Sequence, residues 1–162
     1  MVNPEENLLA FLRSRICPND SVLDIGCGDK RYQDIGSKSI VSVDAWPKTE
    51  PDLLIDLEIS DLPYVEGEFD VVMMLDFIEH LPKDRGLELI EQAKRICKRE
   101  LILFTPLLWT TNQENYVQDG NPFAIHKSLW GHIDFKKWNS YTLPCLGVYY
   151  CGVWEKGAHG HA

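Results

Sequence analysis

The chain of 162 residues lacks long apolar runs, CxxC pairs and any excess of positive charge. A membrane-spanning helix needs about 20 consecutive apolar residues, and because no run approaches that length we expect no membrane span. Lys and Arg total 16 against 25 Asp and Glu, so the formal net charge is −9. We therefore expect no nucleic-acid partner, because phosphate binding requires clustered cations.

The sequence also has few cysteines, five in all, and an odd number of them. This count and the missing CxxC pairs argue against a disulfide framework and against a structural zinc site, so the sequence predicts no metal ligands. The first residues have neither the basic start nor the small-residue cleavage site of a signal peptide. We expect a cytoplasmic protein whose thiols are reduced, and nothing in the sequence indicates an oligomeric state.

Apolar periodicity predicts an amphipathic helix over residues 4–15 and a long helix over residues 83–98. Short apolar segments predict strands at 21–25, 39–43, 52–56, 69–75, 101–104 and 148–154. Such a pattern is typical of an α/β fold with a mostly parallel sheet of six or seven strands and helices on both faces. Few residues join the middle strands, so we expect reduced crossovers.

We interpret residues 1–162 as one domain, with a core at 20–106 and a loop or cap region at 107–140. Ten of the 17 aromatic residues follow Pro106, although the segment just after it is polar and has no clear period. Within the cap, residues 128–138 are predicted to be helical. Long loops of this kind are commonly functional, so we expect the cap to border a binding site.

The most informative segment is an acid followed by Gly-x-Gly at the end of the first predicted strand, formed by Asp24, Gly26 and Gly28. Glycine at a strand end lets a ligand approach the backbone closely. A second acid, Asp44, ends the next predicted strand. Open α/β sheets bind ligands outside the carboxyl ends of their strands, so these acids predict a ligand site there.

These segments resemble the small class I S-adenosylmethionine-dependent methyltransferases, in particular the type 11 group, across roughly residues 20–106. Four segments match in order, at 22–28, 43–44, 56–63 and 69–81. The resemblance implies a Rossmann-like class I methyltransferase fold, S-adenosylmethionine as the cofactor and transfer of its methyl group to an acceptor.

The resemblance also implies the roles of individual residues. Asp44 would bind the ribose hydroxyls, Asp56 and the backbone of Leu57 the adenine, and Asp24 the ammonium of the methionine moiety. The implied cofactor-binding residues are Asp24, Gly26, Gly28, Asp44, Asp56, Leu57, Leu75 and Asp76. The last two would line the sulfonium end.

A general base is needed only where the acceptor must lose a proton, and His80 and His126 are the candidate catalytic residues. Further candidates are His132, Asp76, Glu79 and Tyr116. Residues 119–130 are similar to a stretch in methyltransferases associated with surface-sugar gene sets. That similarity implies a small-molecule or glycan acceptor, with Ser128 and Trp130 in its pocket.

Three alternatives remain open at the level of sequence. The domain could bind S-adenosylmethionine without transferring methyl groups, or its aromatic C-terminal third could bind a partner protein. A nicotinamide-binding Rossmann domain would need a third glycine at position 31, where the chain has Arg31. The neighbouring cations, Lys30 and Arg31, would nevertheless attract a pyrophosphate.

Overall fold

A computed structural model describes residues 4–109, 120–144 and 148–158. The chain forms two α-helices and seven strands within these ranges. The helices are α1 (Pro4–Arg15) and α2 (Lys83–Ile96). The strands are β1 (Ser21–Ile25), β2 (Ser39–Asp44), β3 (Leu53–Leu54), β4 (Phe69–Leu75), β5 (Cys97–Pro106), β6 (Asn139–Tyr141) and β7 (Tyr149–Glu155).

The seven strands form one sheet in the order β3-β2-β1-β4-β5-β7-β6. The pairs from β3 through β5 are parallel, whereas β7 runs antiparallel to both β5 and β6. Helix α1 packs on one face through Leu8 and Leu12, and α2 packs on the other through Leu89 and Ala93. The predicted mostly parallel sheet of six or seven strands with helices on both faces is therefore confirmed, and its described part has seven strands.

The predicted reduction of the crossovers is also seen. Between β2 and β3 the chain makes only a 3-10 turn, Pro47–Thr49, and residues 55–68 between β3 and β4 contain no helix. The segment between β1 and β2 contains no helix either. Its buried Ile35 belongs to the same apolar cluster as Leu8 and Leu12 of α1. Turns and polar contacts replace the crossover helices in this half of the sheet.

Two predicted elements are corrected. Residues 128–138 contain only a 3-10 helix, His132–Phe135, and the short polar strand β6 follows directly. The third strand is two residues long rather than five, because only Leu53 and Leu54 pair with β2. In contrast, β5 extends well beyond the predicted 101–104, because it pairs with β4 on one side and β7 on the other.

No helix within the described parts of the chain is long and apolar enough to cross a membrane. The described cysteines, Cys17, Cys27, Cys97 and Cys151, are free thiols. Cys145, His159 and Tyr116 lie outside the described residues.

Candidate active site

A cavity of about 810 Å³ lies at the carboxyl ends of β1, β2 and β4. The sheet order reverses direction between β1 and β4, and such a switch point is where open α/β sheets bind ligands. The pairing register sets Ile25 beside Val43 on one side and beside Met74 on the other, so the three strand ends meet at one level. The ten residues predicted from separate motifs all line this cavity: Asp24, Gly26, Gly28, Asp44, Asp56, Leu57, Leu75, Asp76, His80 and His126.

The glycine turn after β1 is shaped by a close contact. Gly26 has a φ of +73°, and its N–H donates to the carbonyl of Val43 at 2.8 Å. A Cβ at this position would lie 2.3 Å from Cδ2 of Phe77. Glycine is therefore required both for the backbone conformation and for the approach of the Phe77 ring.

Asp44 ties the turns after β1 and β2 together. Its Oδ2 accepts a hydrogen bond from the N–H of Gly28 at 3.0 Å, and its Oδ1 accepts one from the N–H of Trp46 at 2.8 Å. Each carboxylate oxygen can accept more than one hydrogen bond, so acceptor capacity remains on both atoms. The carboxylate is thus held in place while it still lines the cavity.

Asp24 is a buried acid that lines the cavity, with 3% of its surface exposed. Gln33 donates from Nε2 to its Oδ2 at 2.9 Å. Burial, together with the negative charge of Asp44, raises the pKa of Asp24 to about 6, although the hydrogen bond from Gln33 and the charge of Lys30 act in the opposite direction. A buried carboxyl group of this kind favours a cationic partner.

Asp76 stands at the switch point, directly after β4. Its φ is +50°, an uncommon value for a residue other than glycine, and its N–H donates to the carbonyl of Phe104 at 2.8 Å. Burial raises the pKa of this carboxyl as well. Unusual backbone at such a position is a feature of functional sites.

The two cations after the glycine turn both bind neighbouring groups, and Arg31 is paired with carboxylates. Lys30 donates from Nζ to the carbonyl of Glu50 at 2.6 Å. Arg31 lines the cavity but is paired with Asp29 at 2.7 Å and also with Glu5. Both side chains therefore bind acceptors within the protein, which weakens the reason for expecting a pyrophosphate at this turn.

His80, His126 and Glu79 form a cluster on another wall of the cavity. The imidazole rings of His80 and His126 lie 5.0 Å apart between centroids, and Nε2 of His80 is 3.9 Å from Oε1 of Glu79. Burial, followed by the neighbouring His126, lowers the pKa of His80 to about 4. Burial and the charge of Asp76 raise the pKa of Glu79. His80 is therefore a neutral imidazole near pH 7.

The pocket predicted around Ser128 and Trp130 is corrected. Trp130 is 1% exposed and packs in the core, where its ring stacks on Phe135 and lies under Nζ of Lys83. Its Nε1 donates to Oγ of Ser128 at 2.9 Å, so the hydroxyl serves the buried indole. His132 is exposed and meets the ring of Tyr150 edge-on rather than the cavity.

Sequence reasoning missed several residues of the site. Gln33 orients Asp24, and Thr105 donates from Oγ1 to Oε2 of Glu79 at 3.1 Å. Neither belongs to a local motif, because each partner lies on a different segment of the chain. The apolar and aromatic residues that complete the wall come from the C-terminal third: Pro106, Leu108, Phe123, Ala124, Val148 and Tyr149.

Comparison with solved structures identifies relatives of the fold. A methyltransferase dependent on S-adenosylmethionine from Archaeoglobus fulgidus is 19% identical, with a TM-score of 0.59 over 85% of this chain and 70% of that one. Magnesium protoporphyrin IX methyltransferase from Synechocystis, solved with bound S-adenosylhomocysteine, is 18% identical, with a TM-score of 0.58 over 93% and 80%. A Pyrococcus horikoshii protein is 17% identical, with a TM-score of 0.66 over 93% and 88%.

At these identities the structures show a shared fold and no more. A comparison with curated protein sequences found no match. The sequence profile of the methyltransferase domain, however, matches residues 23–105, just over half of the chain and nearly the whole segment on which the sequence resemblance rests. The chain therefore belongs to the methyltransferase domain family and is a class I methyltransferase that uses S-adenosylmethionine.

Proposed function

We propose that the cavity at the ends of β1, β2 and β4 binds S-adenosylmethionine and that the chain methylates a small-molecule or glycan acceptor. The observation that carries this proposal is the convergence of residues from four separate motifs on one cavity at the switch point of the sheet. In the same proposal residues 20–106 hold the cofactor, and residues 107–140 belong to the acceptor side.

The chemistry of the cavity fits this cofactor. S-adenosylmethionine supplies a methyl group on a positively charged sulfur and carries no phosphate. Seven of the described acidic residues line the cavity, and four of them belong to the cofactor motifs: Asp24, Asp44, Asp56 and Asp76. Arg31 and Lys127 also border it, but Arg31 is paired with Asp29 and Lys127 with Glu58. An acidic cavity suits a cation better than it suits a pyrophosphate.

Asp44 is proposed to bind both ribose hydroxyls. Its two oxygens are held by the N–H groups of Gly28 and Trp46, so the carboxylate is oriented before the ligand arrives. The acceptor capacity that remains on both oxygens matches a vicinal pair of hydroxyl donors. Because the orientation is already fixed, little conformational freedom is lost on binding. Backbone at Gly26 and Gly28 would border the same ligand.

Asp56 and Leu57 are proposed to bind the adenine. Oδ1 of Asp56 accepts a hydrogen bond from the N–H of Glu58 at 2.9 Å, which orients the carboxylate. The carbonyl of Leu57 accepts one from Nε of Arg85 at 2.8 Å. We therefore assign the N–H of Leu57, rather than its carbonyl, to a ring nitrogen of the adenine.

Asp24, Leu75 and Asp76 are proposed to border the methionine end. Asp24 is buried and Asp76 is partly buried, and their surroundings raise the pKa of both carboxyl groups. A cationic ammonium beside Asp24 would stabilise its ionised form and offset the desolvation of the carboxylate. Backbone at Leu75 and Asp76 would face the sulfonium end.

The acceptor is proposed to lie against the wall supplied by the C-terminal third. Phe123, Val148 and Tyr149 give this wall an apolar and aromatic character. Ligand cavities commonly measure about 300–1,000 Å³, and about 810 Å³ is room for a cofactor together with a small molecule or the end of a glycan. His80 and His126 border the same space, and we propose them as the groups that act on the acceptor.

The proposal is tested by calorimetric titration with S-adenosylhomocysteine. Replacing Asp44→Ala removes hydrogen bonds to a charged group and should weaken binding by about 1.5–3 kcal/mol, a rise in Kd of roughly tenfold to 150-fold. Asp52→Ala is the matched control. Asp52 accepts hydrogen bonds from the N–H and from the hydroxyl of Ser42 on β2, but it does not line the cavity. Equal Kd values for the wild type and Asp44→Ala would refute the cofactor placement.

The acceptor class is tested separately, by following transfer of a radiolabelled methyl group to panels of sugars, lipids and phenols. We expect transfer to at least one hydroxyl-bearing small molecule or glycan. Cofactor binding with no transfer to any panel member would instead support a binding domain without catalysis.

A further inference from the structure

Three candidate ligands converge on one wall of the cavity. An oxygen of Glu79 and a ring nitrogen from each of His80 and His126 all lie within 4.8 Å of one another. We propose that these three side chains bind a divalent transition-metal ion. The cysteine pattern predicts no metal ligands, and it says nothing about this set, in which Glu79 and His80 are adjacent while His126 lies 46 residues further along the chain.

The backbone brings the distant ligand into position. The 3-10 turn Ile78–His80 follows β4, and the segment around His126 docks on it through two backbone hydrogen bonds. The N–H groups of Lys127 and Ser128 donate to the carbonyl of Glu79 at 2.7 and 3.1 Å. On the other side of His126, Nδ1 of His80 lies 3.4 Å from the carbonyl of Ile125. His126 is therefore held on both sides, as a preorganised ligand must be.

The carboxylate of Glu79 has the environment of a ligand. Glu79 is 2% exposed, and among the described residues no Lys or Arg forms an ion pair with it. Buried carboxylates are usually paired with a cation or coordinate a metal. Thr105 donates to Oε2 and thereby fixes the carboxylate, and a hydrogen bond of this kind typically orients metal ligands.

The ligand set selects the kind of ion. Imidazole nitrogens suit zinc, copper, iron and nickel, whereas Mg²⁺ and Ca²⁺ prefer oxygen ligands. Bonds of about 2.0–2.2 Å at tetrahedral angles place two ligand atoms about 3.3–3.6 Å apart. The three atoms lie within 4.8 Å of one another, so the widest pair would have to approach by no more than about 1.5 Å. Three protein ligands leave coordination positions open toward the cavity.

The role of the ion rests on the proposed function. A divalent ion lowers the pKa of a bound hydroxyl or water by several units. An ion on this wall would bind an oxygen of the acceptor beside the cofactor end of the cavity, so the acceptor would be a hydroxyl-bearing molecule. In this arrangement His80 and His126 hold the ion, and the proton of the bound hydroxyl passes to solvent water before the oxygen accepts the methyl group.

Ion binding is tested on the full chain carrying His159→Ala and His161→Ala, so that the terminal histidines do not contribute. After treatment with a chelator, the protein is titrated with Zn²⁺ by calorimetry and with Co²⁺ by visible absorption. We expect one equivalent to bind, with an absorption band for Co²⁺ and no competition from equimolar Mg²⁺. His126→Ala and the more conservative His126→Gln should each weaken binding by at least about tenfold.

The matched control is His132→Ala, which removes an exposed imidazole outside the cavity and should leave the Kd unchanged. Far-UV circular dichroism of the metal-free variants establishes that each one is folded. Absence of saturable binding, or equal Kd values for the parent, His126→Ala and His126→Gln, would overturn the proposed ion site.

Titration with S-adenosylhomocysteine on the same samples separates the two proposals. Cofactor binding without ion binding overturns the ion site alone. Ion binding without cofactor binding supports the ion site and contradicts the proposed function alone.

Discussion

The pH dependence of cofactor binding should report directly on Asp24. The surroundings of this carboxyl raise its pKa from the ordinary 3.8 to about 6 in the free protein. If the ionised form is the one that binds the ammonium of the ligand, protonation of Asp24 competes with binding. The perturbation is therefore a change of pH, combined with the substitution Asp24→Asn, which removes the titration.

The expected magnitude follows from the fraction of Asp24 that is ionised. With a pKa of about 6, this fraction is nearly complete at pH 8 and about one eleventh at pH 5. The wild-type Kd should accordingly rise about elevenfold over this interval through Asp24, which corresponds to about 1.4 kcal/mol. Asp76 also has a raised pKa and contributes its own pH dependence.

The assay is calorimetric titration with S-adenosylhomocysteine at pH 8 and pH 5 for both proteins. The ratio of the Kd of Asp24→Asn to that of the wild type cancels the dependence shared by the two proteins. This ratio should be about elevenfold smaller at pH 5 than at pH 8. Asp34→Asn is the control, because this exposed acid pairs with Arg13 away from the cavity. A ratio that does not change with pH would refute the role given to Asp24.

The stability of the free protein gives an independent readout of the same group. Because the folded pKa is raised, ionised Asp24 destabilises the folded state above about pH 6, and this penalty disappears as the pH falls through 6 toward 4. The difference between 3.8 and about 6 corresponds to about 3 kcal/mol. Asp24→Asn should therefore raise the melting temperature at pH 8 by roughly 6–12 °C and have little effect at pH 4. An equal shift at both pH values would contradict this linkage.

Two glycines give further predictions. Gly26→Ala should abolish or strongly weaken cofactor binding, because its Cβ would strike the ring of Phe77. Gly36 has a similar φ of +76° but open space around it, so Gly36→Ala should lose only stability, about 1–2 kcal/mol. Calorimetric titration and thermal melts of both variants separate the two effects, and equal ligand affinities would contradict the steric argument. Gly86→Ala in α2 places a Cβ 2.6 Å from Cζ2 of Trp130 and should destabilise the fold by about 1–3 kcal/mol, measured by urea unfolding, although alanine is the better helix former.

The parts of the site that the sequence predicts are those governed by local rules. An acid and two glycines at a strand end, and further acids at the ends of neighbouring strands, are visible because each strand is a short apolar run with a clear boundary. Parallel pairing then brings these ends together without further information. For this reason Asp24, Asp44 and Asp56 line one cavity although they are separated by 32 residues.

The parts that the sequence does not predict depend on contacts between distant segments. Residues 128–138 are predicted to be helical, but Trp130 packs in the core against Gly86, and the chain forms only a short 3-10 helix after it. The same docking carries His126 to Glu79. No periodicity in the cap encodes these contacts, because the surface of α2 and the turn after β4 determine them.

The reduced crossovers explain why the cavity acids also stabilise the surrounding turns. In this half of the sheet, carboxylates support loops where a crossover helix would otherwise pack: Asp44 binds the turns after β1 and β2, and Asp52 binds Ser42 across the edge of the sheet. A carboxylate that binds backbone N–H groups is fixed in direction, and its remaining lone pairs are then fixed as well. Asp44 is therefore oriented for a ligand by the same hydrogen bonds that close the turns. It follows that loss of the hydrogen bond from the N–H of Trp46 should lower cofactor affinity, because the Asp44 carboxylate would lose its orientation.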